Sequence, residues 1–265
     1  MDSASTSDPV AYFRRTGPAS FRPTEHVGGA WSTDEQHIAP ALGLLVHVVE
    51  QDRDVRRDDR LAVGRLSYDI WGTVPMEEVE TSVRVLRPGR TIELVEATLT
   101  HAGRTVVTLR AWLMQRSDTE AIAGTGSAAI PAPDAVPAWD PTTVWPGGFI
   151  ASAQVRRDQA EPGRAVVWAR TDVALLDDEP VSALARTAGL LDIINGMTVR
   201  ADPREVAFPN LDLTAHLARE PAGGWLGFDA AVSFGPSGLG VTSSVLHDEH
   251  GHLGSMSQAL TVRQG

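Results

Sequence analysis

Hydrophobic and polar positions along the chain follow one plan that occurs twice: an apolar helix, then long strands joined by hairpin turns. The first copy runs through residues 36–50 and 79–116, the second through 181–195 and 208–263. QHIAPALGLLVHVVE, residues 36–50, is apolar almost all round, with only His47 and the ends polar, which predicts a buried helix. Thr33 or Asp34 is placed to cap its start, and Pro40 falls in the first turn, where a missing N–H costs little. Val79, Thr81, Val83 and Val85 alternate with Glu80, Ser82 and Arg84, the period-two signal of a half-buried strand. Strands are expected over 60–71, 79–86, 91–100 and 104–116, and the turns RPGR (87–90) and HAGR (101–104) make successive strands antiparallel.

From 117 to 146 the pattern dissolves into Ala, Gly, Thr and Pro, the composition of a linker between halves. The second half resumes with expected strands at 148–157 and 165–172, then a helix over 177–196. Its acidic start, its C-terminal Gly196 and an apolar side of Leu184, Leu190, Leu191 and Ile194 suit that assignment. Further strands are expected at 210–219, 225–234, 240–248 and 253–263. Superimposing the turn glycines Gly103 and Gly251 sets Arg110 opposite Gln258, each followed by an alanine. The halves are then residues 1–130, opening with a polar tail over 1–20, and residues 131–265. One buried helix per half wrapped by an antiparallel sheet is an α+β arrangement, and two in tandem describe a double hotdog.

Composition narrows the function classes. With 265 residues, 42% hydrophobic and 22% charged, the chain has the make-up of a soluble globular protein. No stretch approaches the length of a membrane span and no basic-then-apolar leader opens the chain, so a cytoplasmic location is the expectation. The absence of cysteine excludes disulfides, thiol nucleophiles and thiolate metal sites. A formal charge of −11 argues against a nucleic-acid binder. All 23 basic residues are arginines, which the Ala-, Gly-, Arg- and Asp-rich make-up explains through base composition more readily than through function.

Asp192 is the most informative polar residue, because it lies inside the apolar run GLLDII. A carboxylate taken from water has to be paired, shifted in pKa or engaged in chemistry. Two readings stand for it: a base for an attacking water, or an aspartate that turns to solvent or bonds nearby backbone. Gln258, in the strand MSQAL, can accept from water and donate to a carboxylate at once, or be an ordinary strand residue. Asn210 follows Pro209 at a strand start, where an asparagine is also a common turn residue. The helix start at His37, Ile38 and Ala39 offers N–H groups and the helix dipole to a developing oxyanion, and His37 can equally be a polar helix-end residue. HDEHGH at 247–252 has metal-ligand residue types, but it occupies a hairpin tip and reads as a solvated turn. FGPSGLG at 234–240 reads as a strand connection, and no G-x-S-x-G elbow is present.

The order and spacing of several segments resemble the double-hotdog, thioesterase-II-like acyl-CoA thioesterases. They are Trp31 and Gln36-His37 leading into the apolar helix, FPNLDLTAHLAREPAGGW at 208–225, LHDEHG at 246–251 and SQALTV at 257–262. The resemblance runs from about Phe21 to Arg263. It implies hydrolysis of acyl-CoA to free acid and coenzyme A with no metal, cofactor or covalent intermediate. It also implies a site made of an aspartate on the second helix, a hydroxyl residue on the next strand and a glutamine on the last strand. These positions fall on Asp192, Asn210 and Gln258, with the N–H groups near His37, Ile38 and Ala39 facing the thioester oxygen. Asn210 departs from the usual Thr or Ser, and Ile38-Ala39 from a pair of glycines. The departures keep a second expectation in view, a non-catalytic acyl-thioester-binding protein on the same fold. A hydratase of this fold ranks last, because no histidine accompanies Asp192 on its helix. The expected partners are acyl-CoA and further copies of the chain, as a homodimer or higher homo-oligomer.

Overall fold

A computed structural model describes residues 10–264 of the chain; the polar start MDSASTSDP lies outside them. The first half comprises β1 (Ala11–Arg15), β2 (Ser20–Pro23), α1 (Ile38–Arg56), β3 (Ala62–Ile70), β4 (Val79–Arg87), β5 (Ile92–His101) and β6 (Arg104–Met114). Part of the expected polar tail is therefore strand, because Ala11, Tyr12 and Phe13 are buried. Helix α1 continues past Glu50: Asp52 pairs with Arg56 at 2.7 Å one turn on, and Arg53 and Arg56 suit the C-terminal dipole. Its N-cap is His37 rather than Thr33 or Asp34. The N–H groups of Gln36 and His37 are tied to Val74 and Val27 carbonyls, which holds the chain extended up to that point.

The connecting segment contributes β7 (Ala138–Trp139) and a short helix α2 (Gly148–Ser152) where a strand start was expected. The second half comprises β8 (Ala153–Glu161), β9 (Arg164–Thr171), β10 (Ala174–Leu176), α3 (Ala183–Ala188), a 3-10 turn (Leu191–Ile193), α4 (Ile194–Met197), β11 (Val206–Ala207), β12 (Asp212–Leu217), β13 (Leu226–Phe234), β14 (Leu239–Asp248), β15 (Gly251–Thr261) and β16 (Arg263–Gln264). The single helix expected over 177–196 is thus three short pieces. It starts late because Ser182 is the N-cap, accepting from the Ala185 N–H at 3.0 Å. It breaks at Gly189, which packs against α1: a Cβ at Gly43 would stand 2.6 Å from the Ala185 carbonyl oxygen and 3.0 Å from Gly189. Backbone-to-backbone contact between the two helices excludes a side chain there, and it binds the halves to each other.

Among the described residues, fourteen strands form one sheet in the order β10-β1-β2-β4-β5-β6-β3-β12-β15-β14-β13-β9-β8-β7. The order is close to a mirror about the antiparallel pair β3 and β12, where Ser67 faces Thr214. On either side the next strand is β6 or β15, with Ser67 facing Arg110 and Thr214 facing Ser257. This register corrects the glycine alignment by one residue: Arg110 corresponds to Ser257, and Gln258 corresponds to Ala111. Gly103 lies inside its two-residue turn, whereas Gly251 already opens its strand, opposite Asp248. A slip of one residue changes the face of the sheet. Arg110 accordingly points outward to Glu96 (3.0 Å), while Gln258 and Ala111 are buried. The apolar core comprises the inner sheet face and α1, whose Leu42, Leu44 and Leu45 are fully buried. The hairpin tip near 247–252 is only partly solvated, since His247 and Asp248 are buried and Arg219 Nη1 donates to Asp248 at 2.7 Å. No helix among the described residues is long and apolar enough to cross a membrane.

Candidate active site

The break in the second helix turns Asp192 inward. It lies in the 3-10 turn after Gly189, is 5% exposed, and receives two amides on one oxygen. Asn210 Nδ2 donates to Asp192 Oδ1 at 2.6 Å and Gln258 Nε2 donates to the same atom at 2.7 Å. The structure therefore brings together three residues far apart in sequence. Asn210 is fixed by its bridge to Leu260 in β15 and by its Nδ2, which also donates to the Asp212 carbonyl at 3.2 Å. Gln258 shares the inner face of β15 with Met256 and Leu260. Its Oε1 is buried with no protein donor among the described residues.

Electrostatics at Asp192 follow from this packing. Burial pushes its carboxyl up to about 7, against the opposing pull of the Asn210 and Gln258 amides, which favour the charged form. Both amides converge on Oδ1, which leaves Oδ2 without a protein donor among the described residues. A carboxylate held near neutrality with one oxygen unengaged has the properties of a general base.

Asp192 and Asn210 line a cavity of about 430 Å³, which also takes in the start of α1 through His37 and Ile38. Ile38 supplies an N–H with no protein acceptor among the described residues. Ala39 does not line the cavity, and its N–H donates to His37 Nδ1 at 3.2 Å. The His37 ring packs on Phe149 with centroids 4.2 Å apart, and burial pushes the imidazole down to about 3, so it is neutral. Gln36 secures this helix start, its Nε2 donating to the Pro75 and Glu77 carbonyls at 2.7 and 3.1 Å.

Sequence reasoning missed the aromatic wall of the cavity. Trp31, Trp145 and Phe208 meet edge to face, with centroids 4.8 to 6.0 Å apart, and Trp145 Nε1 holds the Gly196 carbonyl at 2.8 Å. These residues come from three distant segments, so no local pattern announces them. Asn195, which also lines the cavity, had a signal: it is the second polar residue of an apolar run. Among the described residues no group of three or more His, Asp or Glu is placed to hold a metal ion.

The profile of the acyl-CoA thioesterase N-terminal domain matches residues 27–114, and that of the acyl-CoA thioesterase C-terminal domain matches residues 127–262. The chain belongs to the acyl-CoA thioesterase family. Among solved structures it is similar to a hot dog fold protein of unknown function from Alicyclobacillus acidocaldarius, with a TM-score of 0.73, 15% identity and 97% of each chain covered. It is also similar to an acyl-CoA thioesterase II, TesB2, from Mycobacterium marinum, with a TM-score of 0.66, 16% identity and 96% of this chain and 95% of that chain covered. At these identities the likeness shows the fold, an α+β double hotdog. Functionally curated proteins gave no match. In the thioesterase fold described here, the cavity lies where the helix start of one half meets the helix and strands of the other.

The corresponding place in the first half is built differently. Counted from the helix N-caps, His37 and Ser182, the residue matching Asp192 is His47. His47 Nε2 lies 3.0 Å from Glu179 Oε2, and Glu179 also takes Arg15 Nε at 2.6 Å and Gln51 Nε2 at 2.7 Å. Ser182 Oγ donates to Glu50 Oε2 at 2.5 Å. An ion-paired network stands there in place of a carboxylate facing a cavity.

Proposed function

We propose that the protein hydrolyses acyl-CoA to the free acid and coenzyme A, with Asp192 as base. The observation that carries this reading is the single Asp192 oxygen that accepts both amides while the other oxygen is left for a water at the cavity wall. In the reaction, water attacks the thioester carbonyl carbon as Asp192 removes its proton. Asn210 and Gln258 hold the carboxylate in place through their amide donors. The Ile38 N–H, at the positive end of α1, donates to the developing oxyanion. Collapse of the tetrahedral intermediate breaks the C–S bond, and the departing thiolate takes the proton from Asp192. Asn210 serves where the family more often has a hydroxyl, because what the carboxylate requires is a donor, and the asparagine amide provides one at 2.6 Å. Arg263, exposed at the cavity rim, meets the phosphates of coenzyme A.

The test is thiol release from acyl-CoAs of short to long chain by the wild type and by Asp192→Asn. Release by the wild type and its loss in the folded variant support the reading. No release from any chain length, or full activity in the variant, overturns it.

A further inference from the structure

Asn195 is the one asparagine of the cavity wall that the proposed chemistry does not use. It is 7% exposed, lines the same cavity as Asp192, and its side chain has no hydrogen-bond partner among the described residues. Neither of its amide atoms is closed off from solvent, so the group faces the cavity and meets water or a ligand there. Neither local structural role accounts for it, since the cap of the 3-10 turn is Leu190 and that of α4 at its C-terminal end is Thr198. Asn195 follows Asp192 by three positions across a 3-10 turn running into a helix, so the two share a face with Cβ atoms roughly 5–6 Å apart.

Depth in the cavity indicates which part of a thioester reaches this amide. Trp71 and Leu211, 68% and 53% exposed, stand with Arg263 at the rim, whereas Asn195, Met197 and Phe208 are buried. The charged, hydrophilic coenzyme stays with the exposed rim, which leaves the buried lining, Asn195 with Met197 and Phe208, to the acyl group. Resting on the thioesterase reading above, we propose that Asn195 is a specificity residue that hydrogen-bonds an oxygen substituent on the acyl chain a few bonds beyond the scissile carbonyl. An amide both donates and accepts, so a hydroxyl can pair with either its carbonyl or its N–H, and a keto oxygen takes its N–H. A bare alkyl chain would dry the amide without replacing its water, and that difference disfavours unsubstituted chains.

The experiment compares kcat/KM for hexanoyl-CoA with 3-hydroxyhexanoyl-CoA and 4-hydroxyhexanoyl-CoA, in the wild type and in Asn195→Leu. A neutral hydrogen bond corresponds to a preference of about tenfold for at least one hydroxylated substrate in the wild type, and the ratio falls to about one in the variant. Equal values in the wild type overturn the proposal, as does a preference that survives in Asn195→Leu. A variant that slows all three substrates alike also overturns it, because Asn195 would then act on a part common to every thioester. If Asn195→Leu does not fold, Asn195→Ser is read in the same way. If no substrate is cleaved, the thioesterase reading fails on its own, and Kd values for the same three compounds by calorimetry decide the role of Asn195.

Discussion

Gln258 and Ala111 stand at corresponding places on the strands that flank the central β3–β12 pair, and only one of them carries a hydrogen-bonding side chain. Both are buried on the inner face. Together with Asp192 against His47, this pairing assigns the candidate chemistry to the second half, while the first half contributes the start of α1. The doubled plan makes two equivalent places, and the side chains furnish one of them as a candidate site.

Asp192→Asn is expected to lower kcat by at least about 100-fold, the usual contribution of a positioned general base. The fold should persist, because an asparagine oxygen can still accept both amides. The same variant reports on stability through linkage. The folded carboxyl is raised from an ordinary value of 3.8 to about 7, so the native state keeps a proton that the unfolded chain has released. Wild-type stability therefore falls as pH rises through that window, and a neutral asparagine removes the loss. Thermal melts should show the variant about 3–6 °C more stable than wild type at pH 8 and equal to it at pH 4. Equal melting temperatures at both pH values would contradict a raised carboxyl.

The pH–rate profile should carry the same group. With the base active when deprotonated, kcat/KM rises with pH and levels off above a midpoint near the carboxyl value of about 7. Gln258→Met keeps the volume and removes one of the two donors that favour the charged form, so the midpoint should move to higher pH. A profile that keeps its midpoint in the variant would remove Gln258 from contact with the base.

The network at the first-half position should matter for stability and not for turnover. Burial alone would raise the Glu179 carboxyl, but Arg15, His47 and Gln51 outweigh it and hold it down to about 2. Its contribution to stability is thus present above the ordinary carboxylate range and is lost as pH falls through about 2. Glu179→Gln should lower the melting temperature at neutral pH, with that deficit shrinking in acid, and should change kcat/KM by less than about twofold because the site lies apart from it. A large loss of turnover with unchanged stability would show that this network takes part in the chemistry.

Much of the architecture was legible because it rests on periodicity. The apolar run of α1 and the alternation of β4 name their elements without tertiary information. Asp192 stood out as a charge within an apolar run. Gln258 was singled out for its strand and its chemistry, and its place on the core face beside Met256 and Leu260 is set by the fold. What escaped is set by contacts between distant segments. The break at Gly189 follows from its packing on Gly43 of the other half. The aromatic wall joins Trp31, Trp145 and Phe208, and the engagement of the Ala39 N–H depends on the position of the His37 ring. The strand register slipped because Gly251 lies at a different place in its turn from Gly103.

The N–H of Ile38 can be removed without removing the helix. Ile38 is the first residue of α1, the position at which proline is favoured, since its fixed φ suits a helix start. A proline also restricts the residue before it to extended backbone, and His37 already has φ −64 and ψ 131. The Ile38 N–H has no protein acceptor to lose among the described residues, so Ile38→Pro should leave the melting temperature close to that of the wild type. If that N–H donates to the oxyanion, kcat should fall by about 100- to 1,000-fold, the scale of one lost oxyanion donor. The loss of the isoleucine side chain is controlled by Ile38→Val, which keeps the N–H and should retain most of the rate. A proline variant as active as the valine variant would place oxyanion stabilisation elsewhere on the cavity wall.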